Sequence, residues 1–123
     1  TRRANHMRWC EAIQSLGLPI RVFPELPGTT HAAFAFPMLI DSASPHDRAT
    51  VCAKLESLGI STRPISGSNL ARQPAFEHLD CAVVEGETPV ADAVHERGFF
   101  VGQSHAFDDE HMDRLMEGLK SAF

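Results

Sequence analysis

Apolar side chains recur at helical spacing at both ends of the chain. At the start they occupy positions i, i+3, i+4 and i+7: Trp9, Ala12, Ile13 and Leu16. This spacing predicts a helix from Arg2 to Leu16, which ends just before Gly17. At the other end, Asp108 and an acidic first turn precede an apolar stripe formed by Met112, Leu115, Met116, Leu119 and Phe123. That stripe predicts a capped helix with one buried face.

Between these helices the pattern changes to alternation. Ala32 to Ile40 predicts a strand that places three apolar side chains on one side: Phe34, Phe36 and Met38. Pro37 within it cannot donate to a ladder, which indicates an edge position or a bulge. The preceding connector is rich in proline and glycine and has room for a short extended piece at Ile20 to Phe23.

Two further helices are predicted from proline signals. Ser44-Pro45 marks a helix start and Gly59 a helix stop, after which Ile60 to Arg63 forms a short strand. Thr88-Pro89 starts a helix that runs to Arg97 and is closed by Gly98. The apolar run Phe99-Phe100-Val101 then predicts a strand covered on both faces.

The resulting element order predicts the fold class. We expect an α/β (α+β) two-layer sandwich, with a small antiparallel or mixed sheet of three to four strands and helices on one face. At 123 residues, the whole chain, 1–123, forms a single domain. The stretch from Ala75 to Glu87 has the weakest pattern, with a helical turn at Ala75 to Leu79 and an extended piece at Cys81 to Val84.

Composition narrows the functional classes. The chain is 43% hydrophobic and 22% charged, with a net charge of −5. Its basic residues are scattered, which argues against nucleic acid or an anionic membrane as the main partner. No apolar run approaches the roughly 20 residues of a membrane span, and no signal peptide opens the chain, so we expect a cytoplasmic protein. The three cysteines stand far apart and are expected to be reduced core residues.

The stretch from Arg63 to Pro74, here called the polar loop, concentrates the candidate chemistry. Two prolines and Gly67 prevent a regular helix, and the stretch carries two arginines with several amide and hydroxyl side chains. Guanidinium groups bind phosphate or carboxylate through paired hydrogen bonds. The candidate ligand-binding residues here are Arg63, Asn69, Arg72 and Gln73. An equally weighted alternative is that Arg63 is a solvated charge, Arg72 pairs with an acid such as Glu77, and Asn69 caps a turn.

Other chemistries receive little support. The seven histidines show no metal-ligand pairing, so no metal site is predicted. Of these histidines, His105 is the candidate binding residue, because it lies in a second polar loop after a buried strand. The chain has no phosphate-binding glycine motif and no nucleophile elbow. Lys54 and Lys120 stand in amphipathic helices without the burial or cationic neighbour that a Schiff-base lysine requires.

Three segments resemble a known family. They are Gly59-Ile60-Ser61-Thr62-Arg63, Gly67 to Phe76 with its Asn-Leu-Ala-Arg-Gln-Pro core, and Gly98 to His105. Together they resemble the C-terminal small domain of the DegT/DnrJ/EryC1/StrS sugar aminotransferase family. The branch that they resemble most is the CDP-4-keto-6-deoxyglucose 3-dehydrase of lipopolysaccharide biosynthesis.

The resemblance implies a fragment of a fold-type-I enzyme that uses pyridoxal phosphate (PLP) or its amine form (PMP). The large domain of such an enzyme binds the cofactor, so this fragment alone is expected to bind none and to be inactive. Arg63, Asn69, Arg72, Gln73 and His105 would contact a nucleotide-linked 4-keto-6-deoxy sugar. The reaction would be transamination or C-3 deoxygenation, in a protein that is homodimeric at full length.

Two other classes remain open from the sequence. The chain could be a stand-alone α/β module that binds a small anion or nucleotide, or regulates, through the same loop without catalysis. It could also be a dimerisation domain whose polar loop only caps its own helices. The sequence upstream of Thr1 would discriminate between the enzyme and the module.

Overall fold

The computed structural model describes residues 1–30, 33–65, 67–79 and 88–123. The elements are α1 (Arg2–Ser15), β1 (Ile20–Val22), β2 (Ala35–Ile40), α2 (Arg48–Ser57), β3 (Thr62–Pro64), α3 (Pro89–Arg97), β4 (Gly98–Gly102) and α4 (Asp109–Ala122). Two short 3-10 helices, Leu70–Arg72 and Pro74–His78, lie between β3 and α3. Within these ranges, no helix is long and apolar enough to cross a membrane.

The four strands form one antiparallel sheet in the order β1-β2-β4-β3. Because side chains alternate along each strand, one face carries the buried residues of β2 and β4: Phe36, Met38, Ile40, Phe99 and Val101. Side chains of α1, α2 and α4 pack against this face, among them Trp9, Ile13, Val51, Leu55, Leu115 and Leu119. The α/β two-layer fold is thus confirmed, with the sheet wholly antiparallel.

Pro37 is placed differently from the prediction, because β2 is an inner strand. The amide of Gln103 donates to the carbonyl of Phe34 (3.0 Å), so the even-numbered residues of β2 form the hydrogen-bonded pairs with β4. The nitrogen of Pro37 therefore faces β1, whose pairing ends at Met38 with Val22. Proline occurs here without loss of a ladder bond because β1 is short.

The alternation of side chains along β2 also begins later than predicted. Phe34 lies before β2 and is 73% exposed, and its ring meets Phe100 edge-to-face on the open side of the sheet (6.4 Å between centroids). Ile40 takes the third buried position instead. The prediction that Phe34 lies on the same side of the strand as Phe36 and Met38 was therefore wrong. The prediction that β4 is covered on both faces holds for one face only, since Phe100 is half-buried.

The helix starts show which capping signals were decisive. α2 begins at Arg48 with Asp47 as its N-cap, whose carboxylate accepts from the amide of Thr50 (2.7 Å), and not at Ser44-Pro45. Ser44 instead closes a turn, since its hydroxyl accepts from the amide of His46 (3.1 Å). The carboxylate of Asp47 is a better acceptor for the helix amides than a hydroxyl, and the hydrogen bonds from Thr50 hold the pKa of Asp47 below its usual value.

The other predicted boundaries agree closely with the structure. α1 and α3 span the predicted residues to within one position, and α4 starts after the Asp108 cap as expected. β3 is shifted to Thr62–Pro64, and the predicted turn after Ala75 is a 3-10 helix that begins at Pro74. The predicted extended piece from Cys81 to Val84 lies outside the described residues.

Candidate functional site

The polar loop is built from a tight turn followed by two 3-10 helices. Gly67 and Ser68 both adopt positive φ angles (76° and 44°), which reverse the chain after β3. The hydroxyl of Ser68 donates to the carbonyl of Ile65 (2.7 Å) and holds the turn. Leu70–Arg72 and Pro74–His78 then form the 3-10 helices, so the loop is ordered by local hydrogen bonds.

Asn69 is the best-connected residue of the polar loop and is only 4% exposed. Its Oδ1 accepts from the amide of Ala71 (3.1 Å), which caps the first 3-10 helix. Its Nδ2 donates to Oγ1 of Thr88 (2.8 Å) and to Oδ1 of Asp92 (2.7 Å) in α3. The two bonds from Nδ2 tie the loop to the start of α3, while the bond to Oδ1 holds the loop itself.

Arg72 is held by two carboxylates of α3. Its Nε lies 2.8 Å from Oδ1 of Asp92, and its Nη1 donates to Oε1 of Glu96 (2.9 Å). The side chain is 46% exposed, so these pairs are worth little individually. Together the two carboxylates nevertheless neutralise the positive charge with which Arg72 would bind an anionic ligand. The acids are thus supplied by α3, while the side chain of Glu77 lies outside the description.

The sequence contained a signal for these acidic partners that our prediction did not use. Thr88, Asp92 and Glu96 are spaced by four residues, which places them on one face of α3. The loop contacts that face through Asn69 and Arg72. A polar stripe of this kind on a short helix indicates a polar neighbour as readily as it indicates solvent.

Gln73 and Arg63 are less constrained. The Nε2 of Gln73 reaches the carbonyl of Gly67 only at 3.5 Å, a distance at which a hydrogen bond is weak. Arg63 lies within β3, opposite Phe100 in the register, and therefore on the open face of the sheet. It is exposed and forms no hydrogen bond or ion pair with any other residue that the structure describes.

His105 is separated from three of the other candidates, Asn69, Arg72 and Gln73. The polar loop leaves the sheet beside Gly98, the first residue of β4, whereas the loop carrying His105 leaves at Gly102. Four steps along a strand of ~3.3 Å each separate these ends by about 13 Å. His105 is exposed and lies in the loop that leaves the sheet at Gly102. The structure thus brings Asn69, Arg72 and Gln73 together and leaves His105 apart.

The loop that carries His105 is anchored to α1. The Nδ2 of Asn5 donates to the carbonyl of Phe107 (3.0 Å). The amide of Gln103, itself 5% exposed, fits with its oxygen accepting from the amide of His6 (3.0 Å) and its nitrogen donating to the carbonyl of Ala33 (3.2 Å). This loop is therefore held rigidly at both of its ends, and its exposed part is short.

The titratable residues of the described ranges form no cluster of metal ligands. Among those residues, no three His, Cys, Asp or Glu side chains converge as metal ligands would. Both lysines, Lys54 and Lys120, are exposed on helix surfaces, so neither fits a Schiff base to PLP, which requires a desolvated amine. Burial raises the pKa of the Cys10 thiol to about 11, which makes it a poor nucleophile.

The model of the DegT/DnrJ/EryC1/StrS aminotransferase family matches residues 1–120. The chain belongs to this family. The match covers α1 to α4 and so includes both the polar loop and the loop of His105.

Two curated relatives of this family member are sugar 3-dehydratases. A dTDP-4-dehydro-2,6-dideoxy-D-glucose 3-dehydratase of Saccharopolyspora spinosa is 32% identical over 119 residues, which cover 96% of this chain and 25% of that protein. A GDP-4-keto-6-deoxy-D-mannose 3-dehydratase of Yersinia pseudotuberculosis is 31% identical over 88 residues, or 71% of this chain and 22% of that protein.

Solved structures agree on the fold. The E. coli GDP-4-keto-6-deoxy-D-mannose-3-dehydratase with bound hydrated PLP superposes with a TM-score of 0.83 at 25% identity, over 96% of this chain and 30% of that one. An aminotransferase from Streptoalloteichus hindustanus has a TM-score of 0.75 at 18% identity, over 98% and 30% of the two chains, which shows the fold alone. The chain thus spans between 22% and 30% of the length of these proteins.

Proposed function

We propose that this chain is the C-terminal small domain, residues 1–123, of a longer PLP- or PMP-dependent enzyme. The enzyme acts on nucleotide-linked 4-keto-6-deoxy sugars by C-3 deoxygenation or transamination. The observation that supports this best is that 96% of the chain aligns with a sugar 3-dehydratase. The chain also shares its fold with a PLP-bound sugar 3-dehydratase. On this proposal the rest of the enzyme supplies the cofactor site.

PLP or PMP, when bound, supplies the electron sink that such reactions on a keto sugar require. Neither lysine of this chain fits an anchor for the cofactor, because both are exposed. The contribution of this chain is therefore to bind and orient the substrate. The nucleotide is left open by the comparisons, since one dehydratase relative is named for a dTDP sugar and the other for a GDP sugar.

Arg63 is the best candidate for the substrate phosphates. Its guanidinium is exposed on the open sheet face and has no ion pair among the described residues, so it can take a diphosphate without breaking an existing contact. Arg72 would first have to leave Asp92 or Glu96. We therefore assign Arg72, Asn69 and Gln73 to shaping the loop against the sugar, and His105 to a more distant part of the ligand.

The test uses the full-length enzyme, loaded with PLP or PMP and given a GDP- or dTDP-linked 4-keto-6-deoxy sugar together with an amino donor such as glutamate and a two-electron reductant. NMR of the product distinguishes loss of the C-3 hydroxyl from gain of a C-4 amine. Formation of neither product from either substrate would contradict the proposal. Detectable turnover by the isolated 123 residues with added cofactor would contradict the assignment of this chain as a substrate-binding part alone.

Replacement of Arg63 tests its role directly. Loss of a charge-assisted hydrogen bond to phosphate costs about 1.5–3 kcal/mol, so Arg63→Gln should raise KM at least about tenfold with little change in kcat. Arg21→Gln, which removes another exposed strand arginine from β1, is the matched control. Equal KM values for the two variants would exclude Arg63 from the site.

A homodimeric assembly, a cytoplasmic location and a role in lipopolysaccharide biosynthesis remain part of the proposal.

A further inference from the structure

A groove lies at the end of the sheet where β4 finishes, away from the polar loop. It encloses about 240 Å³ between α1, α4 and the turn that precedes β3. The side chains and backbone that define it are Trp9, Gly59, Ser61, Phe107, His111 and Arg114, and we call it the aromatic groove. This volume is below the roughly 300 Å³ at which pockets for drug-sized ligands begin, which limits a ligand to about one ring with a small polar substituent.

The aromatic side of the groove is rigid. Phe107 lies between two nearly parallel rings, with centroids 6.1 Å from Trp9 and 4.6 Å from His111 and interplanar angles of 18° and 9°. The Nδ1 of His111 lies 2.7 Å from Oδ1 of Asp108, which fixes the imidazole in the stack. Trp9 is only 3% exposed. Because Phe107 is covered by both neighbouring rings, the aromatic surface open to a ligand is that of His111, whose side chain is 49% exposed. The bond to Asp108 fixes this imidazole, so it loses little side-chain entropy on binding.

The opposite side carries a positive charge without a partner. Among the described residues, Arg114 forms no hydrogen bond and no ion pair. Its Nη2 lies 3.2 Å from the point where a Cβ on residue 59 would stand, and that residue is a glycine with φ of +78°. The absence of a side chain at Gly59 lets the guanidinium lie against the turn and into the mouth of the groove.

A fixed aromatic ring beside a guanidinium that has no partner among the described residues suits one class of ligand. We propose that the aromatic groove binds a small aromatic carboxylate, with the ring against the exposed imidazole of His111 and the carboxylate bound by Arg114. A guanidinium matches the two oxygens of a carboxylate through parallel hydrogen bonds. Pockets that combine an apolar lining with a few convergent polar groups are typical of small-molecule sites. None of the residues assigned to the sugar lines the groove, although it adjoins two of them: Ser61 lies two residues before Arg63, and Phe107 lies two residues after His105.

The experiment titrates the 15N-labelled 123-residue protein with benzoate and, separately, with the neutral benzamide. Benzoate should shift the backbone amides of Gly59, Ser61 and Gly102 along one saturable curve. Because the charge-assisted bond contributes most of the affinity, benzamide should bind at least about tenfold more weakly. Arg114→Gln should weaken benzoate binding by a similar factor, while Arg114→Lys should restore part of it.

A matched control separates a specific site from general charge attraction. Arg21→Gln removes the same charge from an exposed residue of β1 and should leave the benzoate curve unchanged. The proposal is overturned if benzoate causes no saturable shift at the groove, if Arg114→Gln binds as tightly as the unaltered protein, or if benzamide binds equally well. Unchanged amide shifts away from the groove in Arg114→Gln would verify that the variant is folded.

Discussion

Replacement of Asn69 by Ala tests whether the polar loop is held by this residue. The substitution removes an amide that is 4% exposed and makes three hydrogen bonds. Loss of the cap on Ala71 costs about 1 kcal/mol by analogy with helix N-caps. Loss of the bond to the Asp92 carboxylate costs about 1.5–3 kcal/mol. Since water reaches part of the vacated space, we expect the free energy of unfolding to fall by about 2–3 kcal/mol.

The chemistry of the amide can be separated from its size by Asn69→Asp. This variant keeps an oxygen that accepts from Ala71 but replaces the donor with a second acceptor, 2.7 Å from the carboxylate of Asp92. Like charges at that distance repel, so Asn69→Asp should be at least as destabilising as Asn69→Ala at neutral pH. Gln73→Ala is the matched control, because the only hydrogen bond of that amide to a described residue is 3.5 Å long. It should cost less than about 0.5 kcal/mol.

The assay is urea unfolding followed by the fluorescence of Trp9, the only tryptophan in the chain and a buried one. Hydrogen exchange of the Ala71 amide measures the opening of the loop itself and should accelerate in both Asn69 variants. If Asn69→Ala and Gln73→Ala have equal stability and equal Ala71 exchange, the contacts of Asn69 with α3 do not hold the loop. Asn69 would then be better explained as a substrate-binding residue only.

Three further predictions follow from single sites. Gly98→Ala should lower the free energy of unfolding by about 2 kcal/mol or more, because its Cβ would lie 2.5 Å from a backbone carbonyl oxygen of α3. Gly102→Ala is the control and should be neutral in the same urea assay, because no atom lies within 4 Å of its Cβ position. Hydrogen bonds from His111 lower the pKa of Asp108, so the stability that they contribute is present above the unfolded-state pKa and is lost as pH falls through the folded-state value. Acid unfolding of Asp108→Asn should consequently show a weaker pH dependence than that of the unaltered protein, and an identical slope would contradict this. Because the pKa of Cys10 is about 11 and the thiol is buried, iodoacetamide at pH 8 should leave Cys10 unlabelled until urea is added, as mass spectrometry of the peptides would show.

The proposed roles in the polar loop depend on partners that are distant in sequence. Asn69 and Arg72 were predicted as ligand contacts from their residue types, and the alternative was that they only stabilise the loop. Their contacts with Thr88, Asp92 and Glu96 agree with the second interpretation, while substrate binding by these residues stays a prediction. Of the two arginines of the polar loop, Arg63 alone is both exposed and without an ion pair among the described residues, whereas Arg72 is paired with Asp92 and Glu96.

The local pattern alone was sufficient for the helices and the fold class. The spacing of apolar residues placed α1 and α4, and the Thr88-Pro89 and Gly59 signals placed one end each of α3 and α2, because capping and periodicity are properties of neighbouring residues. The family motifs were likewise contiguous, and the match over residues 1–120 confirms them. The predicted start of α2 was wrong because two capping signals, Ser44 and Asp47, stand three residues apart. The helix uses the stronger acceptor, the carboxylate of Asp47.

Tertiary structure alone decided which strands are inner ones and which polar residues meet. A proline is tolerated at position 37 of an inner strand because β1 is too short to pair with it. The sequence pattern of β2 contains no information about the length of β1. His105 and the polar loop were joined into one predicted site because they resemble one family, yet the antiparallel register of β3 and β4 sends the two loops to opposite ends of the sheet. The sequence determined what each segment could be, and the pairing of the strands determined which side chains could act together, because that pairing depends on contacts between segments far apart in the chain.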